Sequence, residues 1–233
     1  VQRHSVDMSG KVISSLTAAK ERQLLNWLAD RLPDWVTPNM MTAVGALGGV
    51  LAALGYVLSN WGSLWLILAC IGLFLHWFGD SLDGTIARNR AIERPKFGMF
   101  LDQCVDIATV TLIFFGLGTS PWVNFNVSCL FVIGYLMLVS LTHLRSNVLG
   151  VYDIGYGGLG PTEGRLFLLA MTLLMMVFPP LFMHEWPVPM TSFDHVFIGM
   201  ALWTMVNFGI SARRVLLDLA VAEPPRVYKR AGS

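Results

Sequence analysis

A chain of 233 residues that is 55% hydrophobic and only 13% charged falls well short of the charge of an average soluble domain, where about 25% is usual. That deficit excludes an ordinary soluble globule and places the chain among membrane proteins. A net charge of +1 gives no basic signal for nucleic acid, and three cysteines inside apolar stretches (Cys70, Cys104, Cys129) argue against a disulfide framework or a thiolate metal site. In chain order, the first 35 residues mix polar and apolar types, with no compact apolar run before a small-residue cleavage site, so no cleavable signal peptide is expected. Residues Gly10 to Trp35 read as one amphipathic helix. Ile13, Leu16, Leu24, Leu28, Leu32 and Trp35 recur near helical spacing with Lys20, Arg22 and Arg31 between them, the pattern of a helix lying in the membrane interface rather than one docking a partner. Pro33 and Pro38 mark a break after it.

Six apolar stretches follow, at Met40–Ser59, Leu64–Gly79, Gly98–Gly118, Trp122–Leu144, Leu166–Met183 and Val196–Ser211. A spanning helix needs about 20 mostly apolar residues. Lipid leaves backbone groups no outside partner, so helices are expected. All sixteen Lys and Arg fall before the first stretch, between the second and third, between the fourth and fifth, or after the sixth. The alternate connections, Asn60–Ser63, Thr119–Pro121 and His184–His195, contain none. This asymmetry predicts six transmembrane helices with both termini in the cytoplasm. The fold class is therefore an all-α polytopic membrane protein with an N-terminal amphipathic interfacial helix. Its domains are expected at residues 1–36 (the N-terminal segment), 37–219 (the membrane domain) and 220–233 (a cytoplasmic tail). Ser146–Pro161, rich in glycine and containing Tyr152 and Tyr156, is expected to be an irregular loop.

The chemistry concentrates in residues 79–110, GDSLDGTIARNRAIERPKFGMFLDQCVDIATV. Asp80 and Asp83 stand at i and i+3 near the end of the second span; Asp102 and Asp106 stand at i and i+4 near the start of the third. Each spacing puts a pair of carboxylates on one helix face. The residues between Arg88 and Gly98 let the chain reverse, so that the pairs can face each other. Four carboxylates so near lipid repel one another, and no Lys or Arg in the third span neutralises them; a bound cation does so most cheaply. An all-oxygen donor set suits Mg2+, Mn2+ or Ca2+ rather than Zn2+. Two such ions would clamp a diphosphate for displacement at phosphorus. Gly84 and Ala87 leave room beside the helix, and Arg88 can fork onto phosphate oxygens. Arg90, Arg94 and Lys96 add positive potential, although interfacial basic residues are also the ordinary orientation signal.

The segment resembles the signature of the CDP-alcohol phosphotransferases, D-x2-D-G-x2-A-R followed after about eight residues by G-x3-D-x3-D. The matching residues are Asp80, Asp83, Gly84, Ala87, Arg88, Gly98, Asp102 and Asp106, all eight fixed positions. Nine residues separate Arg88 from Gly98, one more than usual, in the connection that absorbs an insertion most easily. The segment TPNMMT, residues 37–42, is similar too and makes Asn39 a candidate substrate contact. The resemblance implies a six-span membrane enzyme, often homodimeric, using two Mg2+ or Mn2+ ions. It implies transfer of a phosphoryl-alcohol group from a CDP-linked donor to a hydroxyl acceptor, at least one of them a lipid, with release of CMP in phospholipid synthesis. Asp80, Asp83, Asp102 and Asp106 would hold metal, Asp106 would also be the general base, and Gly84, Ala87, Arg88 and Gly98 would line the CDP site. Lys96, Arg145, Glu163 and Arg165 are further candidate substrate contacts, although Thr162 and Glu163 also read as a helix start. GPTEGR is similar to enzymes that use a CDP-amino-alcohol donor, whereas small single-chain members more often use CDP-diacylglycerol, which is slightly favoured. An aspartate-rich intramembrane prenyltransferase has different aspartate spacing. A divalent-cation transporter would leave Gly84, Ala87 and Arg88 unexplained. His143 is read as an interfacial or hydrogen-bonded residue, and His184, Glu185, Asp194 and His195 as too distant from the aspartates to cooperate with them.

Overall fold

The computed structural model describes residues 11–12, 18–149, 152–153, 161–178, 180, 182–184 and 190–223. Seven α-helices dominate these residues: α1 (Ala18–Ala29), α2 (Pro38–Leu58), α3 (Leu66–Asn89), α4 (Pro95–Gly118), α5 (Phe125–Leu149), α6 (Pro161–Val177) and α7 (Ser192–Ala222). Among the described residues, five segments built on α2, α3, α4, α5 and α7 are long and apolar enough to cross a membrane. The fifth expected span, Leu166–Met183, is corrected. The helix there begins earlier, at Pro161, and ends at Val177 after 17 residues, because Pro179 and Pro180 follow. At about 1.5 Å per residue it reaches only ~25 Å. Beyond it, β3 (Phe182–His184) pairs antiparallel with β4 (Met190–Thr191).

Other boundaries move as well. Among the described residues, the N-terminal helix covers Ala18–Ala29 rather than the expected Gly10–Trp35. Lys11–Val12, inside the expected helix, form β1, which pairs parallel with β2 (Tyr152–Asp153). At the end of α1, Arg31 N and Leu32 N donate to the carbonyls of Leu28 and Ala29, the tightened turns of a helix end just before Pro33. Ser146–Leu149, expected in a loop, continue α5. Apart from Tyr152–Asp153 and Pro161, the remainder of that loop, Tyr156 included, lies outside the described residues, as do Ile13 and Leu16 of the expected N-terminal helix, Glu185, and the tail beyond Glu223.

Two apolar clusters hold the helices. The larger joins Ala52, Tyr56, Leu66, Ile113, Phe114, Phe131, Met175 and Phe197, with the Phe114 and Phe131 rings stacked at 4.4 Å. The smaller packs Leu25 and Ala29 of α1 with Val36, Met41, Leu82 and Ile86, so one side of α1 rests on α2 and α3 while Leu24 and Trp27 stay exposed.

Helix α2 is the hub, packing against both α3 and α4. Its seam with α3 consists of small residues. A Cβ placed on Gly72 would lie 2.7 Å from the Gly48 carbonyl oxygen, and one on Gly55 would lie 2.7 Å from the Ala69 Cα. Lipid gives little apolar driving force between helices, so such close backbone contact supplies dispersion attraction instead. The seam also sets the height of α3 against α2, and with it the height of the aspartates.

The turn joining α3 to α4 is built around Ala91, whose φ of 52° is in the left-handed region. Ile92 N donates to the Ala87 carbonyl and Ala91 N to the Arg88 carbonyl, the paired bonds that close a helix end in this conformation. The chain therefore reverses within Arg90–Arg94, and α4 starts at Pro95, where proline's missing N–H costs nothing.

Candidate metal centre

Asp80 lies on α3, about two and a half turns before its end, and Asp102 and Asp106 lie two and three turns into α4. One carboxylate oxygen from each comes within 4.8 Å of the other two. The helices that carry them share α2 as a neighbour, and the acids close the gap with their side chains. Oδ1 of Asp106 is buried and has no hydrogen-bond partner. Oxygen-only donors, a spare buried lone pair and three like charges at short range fit a hard divalent cation.

Asp83 is not part of this trio. Its Oδ2 accepts a hydrogen bond from Thr42 Oγ1 of α2 at 2.6 Å, and its Oδ1 accepts one from Gly84 N at 2.5 Å. Thr42 belongs to the TPNMMT segment, yet nothing in the sequence alone pairs it with Asp83 across 41 residues.

The cation in the cluster is Arg165, from the first turns of α6. Its Nη1 is 2.5 Å from Asp80 Oδ2, and its Nη2 is 3.6 Å from Asp106 Oδ1. The side chain is only 18% exposed, so the pair is screened weakly by water. Arg165, a candidate substrate contact named from the sequence, is joined to Asp80 and Asp106 by ion pairs. Glu163 and Arg145 are half-buried, and Asn39 and Lys96 are exposed. Gly98 is exposed with open space where a Cβ would sit. The room beside Gly84 is taken by the Arg88 guanidinium, 3.1 Å from where a Cβ would be, while Arg88 Nη2 donates to Thr85 Oγ1 at 3.2 Å. Ala87 is half-buried on the same helix.

Arg90, read from the sequence as a source of positive potential, makes four hydrogen bonds to the α1–α2 linker. Nη1 donates to the carbonyls of Val36 (2.6 Å) and Asp34 (3.2 Å), and Nη2 to those of Leu32 (3.0 Å) and Pro33 (3.1 Å). A planar guanidinium with five donors suits a non-repeating stretch of carbonyls. Arg94 lies over the Phe97 ring at 3.9 Å. His143 Nε2 is 3.0 Å from Gln103 Oε1, linking α5 to α4 one residue past Asp102. His76, one turn before Asp80, was not singled out. It is 2% exposed, with Nδ1 at 3.1 Å from the Gly45 carbonyl and Nε2 buried without a hydrogen-bond partner.

At the other end of the bundle, Asp194 is fully buried and serves a different purpose. Its Oδ1 accepts from Asn124 N and its Oδ2 from Thr191 N, both at 2.7 Å, while Thr191 Oγ1 donates to the Trp122 carbonyl at 2.5 Å. This capping box starts α7 and ties it to the α4–α5 connection.

Apolar helices carrying an acid cluster that Arg165 crosses define an integral membrane protein with a polar centre. The profile of the CDP-alcohol phosphatidyltransferase family matches residues 35–211, and the chain belongs to that family. It is 33% identical over 163 residues to cholinephosphotransferase 1 of Gallus gallus, covering 65% of this chain and 46% of the relative. It is 30% identical over 223 residues to cholinephosphotransferase 1 of Xenopus laevis, covering 90% and 51%. It is 35% identical over 122 residues to the archaetidylinositol phosphate synthase of Pyrococcus horikoshii, covering 52% and 61%. The chain thus spans about half the length of the curated relatives it matches.

Proposed function

We propose that this chain transfers a phosphoryl-alcohol group from a CDP-linked donor to a hydroxyl acceptor in phospholipid synthesis, releasing CMP. The single observation that carries this reading is the convergence of Asp80, Asp102 and Asp106 within 4.8 Å, inside the family's matched segment. In it, Asp80, Asp83, Asp102 and Asp106 hold two Mg2+ or Mn2+ ions, with Thr42 orienting the Asp83 carboxylate. When bound, the metals supply charge neutralisation at the diphosphate.

The chain's own residues do the rest. The acceptor hydroxyl oxygen forms a bond to the β-phosphorus, the bond from that phosphorus to the bridging oxygen breaks, and CMP departs with the electron pair. Asp106 takes the hydroxyl proton, a role suited to its buried oxygen that makes no hydrogen bond. Arg165 trades part of its pairing with the aspartates for the phosphate oxygens, and Arg88, Gly84, Ala87 and Gly98 flank the nucleotide. Such a reaction needs positioning and charge stabilisation rather than a covalent intermediate.

The Lys and Arg distribution supports a cytoplasmic centre and cytoplasmic termini. Likeness to the Xenopus cholinephosphotransferase extends over 90% of the chain, which makes a CDP-amino-alcohol as worthwhile a donor to test as CDP-diacylglycerol. CMP release from CDP-choline and from CDP-diacylglycerol, assayed across acceptors with and without Mg2+ or Mn2+, tests the reading. Metal-dependent CMP is expected from one donor class; turnover of prenyl diphosphates, or cation flux without CMP, would overturn it.

A further inference from the structure

We propose that Glu21, on the surface helix α1 and outside the segment matched by the family, is a positioning residue for the transfer reaction, holding the start of α6 so that Arg165 meets the aspartates. The proposal rests on the reading of the cluster as the reaction centre. Glu21 Oε1 accepts a hydrogen bond from Trp77 Nε1 of α3 at 3.0 Å. Both Glu21 oxygens accept from Thr162 Oγ1, in the first turn of α6, at 3.1 and 3.0 Å. Three residues further along each of these two helices stand Asp80 and Arg165, which form the 2.5 Å ion pair. Spacing of i to i+3 keeps each pair of positions on one helix face. One carboxylate from α1 therefore bridges the same two helices that the ion pair bridges.

The second tie on α6 is Thr172 Oγ1, 2.6 Å from Tyr56 Oη of α2. The two ties flank Arg165 in sequence, one on each side. The guanidinium is rigid and planar and meets two carboxylates at once, so the placement of the Arg165 Cα limits whether it can span Asp80 and Asp106. Releasing the Glu21 tie frees the first turn of α6. Misplacement by about 1 Å at a distance from the chemistry is enough to slow an enzyme substantially.

The test is a double-mutant cycle read as CMP release from CDP-choline or CDP-diacylglycerol, whichever the wild-type chain turns over, with kcat and KM separated. Glu21→Ala is expected to lower kcat/KM about tenfold, and in an Arg165→Lys background to cost no more than about twofold further, because both changes act through the same guanidinium. Glu21→Gln, which keeps one acceptor oxygen, is expected to restore part of the loss. Full activity in Glu21→Ala, or losses that multiply in the double variant, would overturn the positioning role and leave the phosphotransferase reading standing. Absence of CMP release from the wild-type chain would sink both. Should Glu21→Ala not fold, Thr162→Val with Arg165→Lys completes the same cycle, with the same two outcomes.

Discussion

Among the described residues, Asp194 and the Asp80–Asp102–Asp106 trio are acidic groups held in contrasting surroundings. At one end, Asp194 has no exposure and both oxygens satisfied by backbone N–H groups of Asn124 and Thr191. At the other, roughly 24 Å away along α4 at about 1.5 Å per residue, three carboxylates converge, and one buried oxygen of Asp106 has no hydrogen-bond donor. The first arrangement is complete as it stands, and its work is to join α7 to the α4–α5 connection. The second is stable only with added positive charge, which Arg165 supplies in part. A buried acid alone therefore says little about activity; the state of its lone pairs says more.

Exchanging charge for shape at each site gives the sharpest contrast. Asp106→Asn is expected to reduce CMP release about 10³-fold or more while nucleotide binding falls far less, measured by steady-state kinetics beside equilibrium binding of CMP. Unchanged turnover would remove Asp106 from the role of base. Asp194→Ala should behave in the opposite way. It leaves two buried N–H groups without acceptors, at a cost of about 2–4 kcal/mol, and lowers the thermal midpoint in detergent, while the folded fraction keeps its kcat. A loss of kcat with the midpoint intact would show that the far end also takes part in turnover. A smaller effect is expected between these extremes. Thr42→Val removes the hydrogen bond that orients Asp83 and should weaken Mn2+ binding about tenfold, followed by electron paramagnetic resonance. Unaltered affinity would mean that Asp83 is oriented by Gly84 alone or does not contact metal.

Much of this was legible in the sequence because it is local or periodic. Apolar runs located α2, α4 and the apolar part of α3, and the i+3 and i+4 spacings put the aspartates on common faces. The start of the helix at 161–177 was legible in Thr162 and Glu163, whereas its end was not, since hydropathy continues through Phe178 and beyond while Pro179 and Pro180 disfavour further helix. The N-terminal helix was overextended at Lys11–Val12, which pair as a strand with residues 152–153, and past Ala29, where Pro33 follows the last turns. Arg165 stood out only as one of several cations, and Glu21, Thr42 and Arg90 gave no signal of their roles. Their partners lie 141, 41 and 54–58 residues away, and which side chains meet depends on helix packing rather than on spacing.

The small-residue seam between α2 and α3 has a consequence for how a bulky lipid gains access. Backbones already in contact at Gly48, Gly55 and Gly72 have nowhere closer to go, and prying them apart would forfeit their whole attraction. That boundary works as a keel. The boundary between α3 and α6 is bridged by the Asp80–Arg165 ion pair and, through Glu21, by hydrogen bonds from Trp77 and Thr162, contacts that a charged headgroup can replace; under the proposed function, a phospholipid would enter and leave on that side.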